Sequence, residues 1–93
     1  MHKKIDKDKM MTIVLMDIMK LSLPRIRSIR SNLDKGGTLN SFDLDFIHEE
    51  LDKITRFYRN FQGEEQSDVI FRHFSHLLAE VVSMALENES KQH

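Results

Sequence analysis

Three side chains in the last third of the chain have the spacing of metal ligands on one helix face. His73 and His76 are three positions apart, and Glu80 follows four positions later. Imidazole nitrogens and carboxylate oxygens are ligands that Zn²⁺ accepts. Dimetal sites in helical bundles need Glu-x-x-His pairs on two helices, whereas an Asp and an Ile stand three positions before His48 and His73. We therefore interpret these histidines as ordinary residues at the edge of an apolar face, and we predict no metal and no cofactor.

His48 is followed by Glu49, Glu50 and Leu51 on a predicted helix. This run resembles the phospho-acceptor helix of histidine-kinase dimerisation domains, in which a His followed by an acidic residue lies on an exposed face. The resemblance covers four residues and implies a histidine phosphotransfer-like module as one alternative function. The Pro that follows the motif in many such domains is missing, and the chain has no glycine-rich segment that would bind ATP. A solvated acidic face next to Leu51 explains the same residues.

Arg25, Arg27 and Arg30 form a small basic cluster that could contact phosphates. Cations near the C-terminal end of a helix also offset its dipole, and that interpretation is favoured here. The chain has 14 basic and 15 acidic residues, so its net charge of −1 gives no general attraction to nucleic acid. A small DNA-binding or transcription-regulating protein is therefore kept as an alternative, and nucleic acid as a partner that is not favoured.

The residue content gives little support to an enzyme. The absence of Cys excludes disulfides, zinc–thiolate sites and thiol nucleophiles. Ser, His and Asp are all present, but no spacing among them favours an activated nucleophile. We predict that the chain is not an enzyme and assign no catalytic residue.

The composition is typical of one small folded domain. Ninety-three residues with 40% apolar and 31% charged side chains are too apolar for a disordered tail and too charged for a membrane protein. An apolar run covers residues 10–23, but Asp17 and Lys20 interrupt it, and it is too short to span a bilayer. We therefore expect a cytoplasmic protein with no membrane partner.

Apolar periodicity and capping signals predict three helices, over residues 8–34, 42–61 and 64–87. Asp8 is the predicted cap of the first helix, and Pro24 lies inside it. Proline removes a backbone hydrogen bond, so the helix either kinks there or is followed by a shorter helix that Ser22 caps. The continuing apolar pattern favours the kink.

The short connections between these helices make sequential neighbours antiparallel. The expected fold is all-α, an antiparallel up-down-up three-helix bundle that dimerisation completes. Residues 10–88 form the single helical domain, with a flexible tail at 1–9 and a disordered tail at 89–93.

The second helix has apolar residues at steps of three and four, which is typical of a core-facing stripe. Three Phe residues fall beside this stripe, and at least one of them is expected to line a groove. The predicted core residues are Leu44, Ile47, Leu51, Ile54, Tyr58 and Phe61, and the three flanking residues are Phe42, Phe46 and Phe57.

The first helix is apolar nearly all round between residues 10 and 23, although a helix in a three-helix bundle needs only one apolar stripe. The excess surface most simply packs against a second copy of the chain, and the Met residues suit an adaptable contact. We therefore predict a helical protein–protein interaction module (a regulator, adaptor or assembly factor) that self-associates and binds another protein. The predicted interface residues are Met11, Val14, Leu15, Ile18 and Met19. A monomer in which this helix is the central core element is the alternative.

Overall fold

The computed structural model describes residues 6–91, and all its regular elements are helical, which confirms the all-α prediction. No strand occurs in this range. The elements are α1 (Lys7–Asp17), a π-helical turn (Ile18–Ser22), α2 (Leu23–Asp34), α3 (Ser41–Asn60) and α4 (Glu65–Lys91). The first three follow one another without a break and form the first rod (residues 7–34), and α3 and α4 are the second and third rods. The molecule is elongated, with extents of 60 × 21 × 17 Å, so the core is a thin seam along the rods.

The helical region extends further in both directions than the sequence predicted. Asp6, rather than Asp8, caps α1, because its Oδ1 accepts hydrogen bonds from the backbone N–H groups of Asp8 and Lys9 at 3.1 and 3.2 Å. Residues 7–9, predicted as part of a flexible tail, are the first turn of α1. At the other end α4 continues to Lys91, so residues 89–91 of the predicted disordered tail are helical. The rest of the two predicted tails, residues 1–5 and 92–93, lies outside the described residues.

The chain accommodates Pro24 by widening the turn before it. The N–H of Leu23 donates to the carbonyl of Ile18, five residues back, which defines the π turn. Pro24 has no N–H to continue the α-helical pattern, and a wider turn relieves the crowding of its ring against the preceding carbonyls. Ser22 does not cap a separate helix, because it is itself helical and makes no capping bond. The predicted alternative of a Ser22 cap is therefore wrong, and a π turn within one continuous rod lies at the position of the predicted kink.

Local signals fix the remaining helix ends. Asn40 and Asp43 form a reciprocal capping box at the start of α3, with the Asp43 N–H donating to Asn40 Oδ1 at 2.8 Å. Gly36, which has a positive φ of 86°, follows the end of α2. The side-chain amide of Asn88 donates to the carbonyls of Leu33 and Gly37, both at 2.8 Å, and ties α4 to this connection.

The buried face of α3 is turned from the one the sequence predicted. Leu44 and Leu51 are 55% and 40% exposed, whereas Phe46 and Phe57 are buried. The prediction that Leu44 and Leu51 belong to the core is therefore wrong. Burial of Glu50 explains the difference, because this carboxylate accepts a hydrogen bond from Ser22 on the first rod and so lies on the inner side of α3. The buried apolar residues of α3 and its C-terminal end are Phe46, Ile47, Ile54, Phe57 and Phe61.

By length and composition alone, α4 could cross a membrane, because an 18-residue window within it has a mean hydropathy of 1.3. Core helices of water-soluble domains pass the same test. Here α4 contributes Phe74, Leu78, Val81 and Ala85 to the shared core.

Candidate functional site

Four polar side chains meet where the π turn packs against α3. Ser22 Oγ donates to Glu50 Oε2 at 2.9 Å. Lys53 Nζ donates to Ser22 Oγ at 3.0 Å and to Asp17 Oδ2 at 2.6 Å, and it lies 3.0 Å from Glu50 Oε1. We call these residues, Asp17, Ser22, Glu50 and Lys53, the polar clamp. It joins the first rod to α3 through hydrogen bonds that include charged partners.

The polar clamp differs from a surface ion pair because two of its side chains are buried. Ser22 is 1% exposed and Glu50 is 5% exposed, so both depend on protein partners rather than water. Burial of the Lys53 ammonium lowers its pKa, but hydrogen bonds to Asp17 and Glu50 and their negative charges outweigh this and raise the pKa above 10.5. Lys53 therefore stays protonated at neutral pH and balances the buried carboxylate of Glu50.

The Ser22–Lys53 contact has the residue types of a serine–lysine nucleophile, but its geometry does not suit that chemistry. A general base must be unprotonated, whereas the pKa of Lys53 is raised. Ser22 is closed off from solvent, and its hydroxyl proton is already directed at Glu50. The arrangement is suited to holding two helices in register.

The sequence does not predict the polar clamp. It indicates Ser22 as a possible helix cap and Glu50 as part of a solvated acidic face. The signal that could have revealed it is the spacing of Phe46, Glu50 and Phe57, which places a carboxylate between two apolar residues on one helix face. An acidic residue at such a position needs a buried partner.

The histidines with metal-ligand spacing are not gathered into a cluster in the described part of the chain. His48, His73 and His76 are all exposed, and Glu80 pairs with Arg30 at 2.7 Å. Among residues 6–91 no group of three or more His, Asp or Glu side chains could hold a metal ion.

The predicted phosphate-contacting arginines face different surroundings. Arg25 lies over the ring of Phe46, 4.3 Å from its centroid, and donates to the carbonyl of Phe42 at 3.4 Å. Arg30 reaches α4 through Glu80, whereas Arg27 is exposed. Two of the three guanidinium groups therefore bind the chain itself.

The structure divides the predicted interface residues between core and surface. Met11 and Ile18 are buried in the chain's own core, and Val14 and Leu15 are partly buried against it. Of the five predicted residues only Met19 is largely exposed. Met11 and Ile18 are therefore unavailable to a partner unless the chain rearranges.

Another set of large apolar side chains on the first rod does face solvent. Ile13, Met16, Met19 and Leu21 are 62%, 46%, 66% and 67% exposed. We call these four residues the outer face. They lie within nine positions, and the interactions of the single chain leave them uncovered. Single apolar residues are normal on surfaces, but four within nine positions of one rod are a candidate contact site.

A smaller apolar strip lies between α3 and α4. Leu51 lines a shallow groove together with Ala79, Val82 and Leu86 of α4. Leu44 is also exposed on α3, seven positions before Leu51, and Phe42 is 75% exposed at the start of the helix. Of the three Phe residues expected beside the stripe, Phe42 is the one on the surface.

Comparison of the chain with protein-family models, with curated proteins and with solved structures found no match. Its function therefore has to be inferred from the geometry of its own residues.

Proposed function

We propose that the protein is a helical protein–protein interaction module that self-associates through the outer face. The observation that carries this proposal is the exposure of Ile13, Met16, Met19 and Leu21 on one short stretch of the first rod. The same residues account for the excess apolar character of that helix. The core uses Met11 and Ile18, and the outer face is the surface left over for a partner.

An up-down-up order of the three rods is part of the proposal. The contacts between the first rod and α3 run in opposite numerical order, which supports an antiparallel pair. Those between the first rod and α4 run in the same order, which supports a parallel pair. The pairs are Asp17–Lys53, Ser22–Glu50 and Arg25–Phe46 for α3, and Arg30–Glu80 and Leu33–Asn88 for α4.

A second copy of the chain is the partner that we propose for the outer face. Identical subunits related by a two-fold axis bring the same patch together, so one apolar face is sufficient for both sides of the contact. The net charge of −1 gives little repulsion between two copies. Met16 and Met19 have unbranched side chains, which can adapt to a similar surface. Burial of the outer face would also remove from water the four most exposed of the large apolar side chains on the first rod.

The nucleic-acid alternative has less support, because Arg25 and Arg30 are already engaged within the chain. The phosphotransfer alternative is supported by the exposure of His48.

The absence of Cys allows a direct test by disulfide cross-linking. Single variants Met16→Cys and Met19→Cys place one thiol each on the outer face, and Thr55→Cys places one on an exposed position of α3 as the matched control. A disulfide forms only when two Cα atoms come within about 7 Å. We expect Met16→Cys, Met19→Cys or both to give a covalent dimer under mild oxidation, while Thr55→Cys remains monomeric on a non-reducing gel. Equal cross-linking of all three variants, or none at the outer face, contradicts the proposal.

A further inference from the structure

A cavity of about 470 Å³ lies between the start of α1 and the end of α3. Its apolar lining comes from Met10 and Val14 on α1, and from Phe57 and Phe61 on α3 and just after it. The two Phe rings are in contact, with centroids 5.0 Å apart. Small-molecule sites in proteins have volumes of about 300–1,000 Å³ and are lined mostly by apolar and aromatic side chains. The cavity has the size and the lining of such a site.

The polar part of the lining carries only positive charge. It consists of Lys7, Lys53, Arg56 and the amide of Asn60, and none of the carboxylates within residues 6–91 lines the cavity. Amphipathic cations place their charged ends toward water while their stems border apolar surface. A ligand in the cavity would therefore meet an apolar interior and a cationic mouth.

The three cations are not equally available to a ligand. Lys53 belongs to the polar clamp, and Arg56 forms an exposed pair with Asp52 at 3.3 Å. Exposed pairs of this kind are weak and exchange readily with another anion. Lys7 makes no ion pair within residues 6–91. Lys7 and Arg56 are thus the side chains best placed to receive a negatively charged group.

We propose that this cavity binds a single-chain amphiphile with an anionic head group, of the class of medium-chain fatty carboxylates. The apolar chain lies against Met10, Val14 and the two Phe rings, and the carboxylate lies between Lys7 and Arg56. A bare anion would leave the apolar lining unused, and a cationic amphiphile would meet the like charges of Lys7 and Arg56. The proposal does not depend on self-association, because one chain supplies the whole lining.

Titration with decanoate tests the proposal, with decanol and decyltrimethylammonium as probes of matched chain length. The readouts are the methyl NMR signals of Met10 and Val14, and calorimetry in buffer of low ionic strength, where charge is least screened. We expect one decanoate per chain, shifts concentrated at those methyls, and binding at least about ten times tighter than for either matched probe, which corresponds to about 1.4 kcal/mol.

Charge-reversal variants distinguish decanoate binding at the cationic mouth of the cavity from nonspecific adsorption of decanoate to the protein. The double variant Lys7→Glu/Arg56→Glu is expected to weaken decanoate binding at least tenfold, since two attractive charges become repulsive. Lys9→Glu and Arg59→Glu, combined as the matched control on the same two helices, change the total charge equally but do not line the cavity, and are expected to retain binding. All variants alter exposed side chains, and circular dichroism checks that each is folded. Equal binding of the three probes, an equal loss in the control, or no shift at Met10 and Val14 overturns the proposal.

Discussion

Ser22 Oγ donates a 2.9 Å hydrogen bond to Glu50 Oε2, which joins the π turn to the middle of α3 across 28 positions of sequence. Both residues are buried, and Lys53 bonds to each of them. The widened turn before Pro24 is therefore also the place where the first rod is fastened to α3. π turns are often found where a helix has a specific role, and here the role is to bring a hydroxyl group to a buried carboxylate.

Replacement of Lys53 by Met removes the cation of the polar clamp and should destabilise the folded state. In Lys53→Met the carboxylate of Glu50 stays buried without its cation, and we expect a loss of about 2–4 kcal/mol in the free energy of unfolding. The value lies toward the lower part of the range for buried pairs because Lys53 is partly exposed. Urea unfolding followed by circular dichroism measures it, and Arg56→Met, which removes an exposed cation on the same helix, should change little.

A double variant tests the cause of that loss. Replacement of both charged residues, in Lys53→Met/Glu50→Leu, removes the uncompensated charge and should recover most of the lost stability. If the double variant is less stable than Lys53→Met, the penalty arises from lost attraction between partners and the buried-charge explanation fails.

The contribution of Lys53 to stability should disappear at alkaline pH. Its pKa in the folded chain is raised above the ordinary value of 10.5, so above that pH the folded state holds a proton that the unfolded state has lost. The stabilisation is fully present below 10.5 and falls as the pH rises through the raised pKa. The gap in unfolding free energy between the wild type and Lys53→Met should therefore narrow over that range. If the difference in unfolding free energy stays constant or widens, the pKa of Lys53 is not raised in the folded chain.

Alanine substitutions on α3 distinguish the observed buried face from the one that periodicity predicts. Ile54 is 1% exposed, so Ile54→Ala should cost about 2–5 kcal/mol as a buried large-to-small change. Leu51 is 40% exposed, and Leu51→Ala should cost about 1 kcal/mol. Chemical unfolding at low protein concentration measures both, and equal losses would mean that α3 buries the face on which Leu51 lies.

The sequence was sufficient for the helices because their signals are local. Asn40 and Asp43 form a capping box within four residues, and Gly36 follows a helix end with the positive φ that glycine tolerates. The π turn could not be predicted in this way. Pro24 indicates that the regular α-helical hydrogen bonding is interrupted, but it does not determine which local geometry replaces it.

Apolar periodicity alone could not predict which face of α3 is buried, or that the polar clamp forms. Two overlapping apolar faces fit α3 almost equally well, one with Leu51 and one with Phe46 and Phe57. The choice depends on Glu50, whose partner Ser22 lies on another helix. The same limitation applies to the first rod. Because this helix is apolar nearly all round, its sequence pattern does not indicate that Met11 and Ile18 are buried while Met19 is exposed. In each case, contacts with residues on another helix determine which side chains are buried.

The solution mass tests self-association through the outer face most directly. Light scattering after size exclusion, over a range of concentrations, should give about twice the chain mass of 11.0 kDa for the wild type. Met19 is 66% exposed, so Met19→Glu puts a charge in the outer face without burying it in the single chain. This variant should give a folded monomer of 11.0 kDa with unchanged circular dichroism. A wild type that is monomeric throughout, or a Met19→Glu variant that remains dimeric, would contradict the proposal.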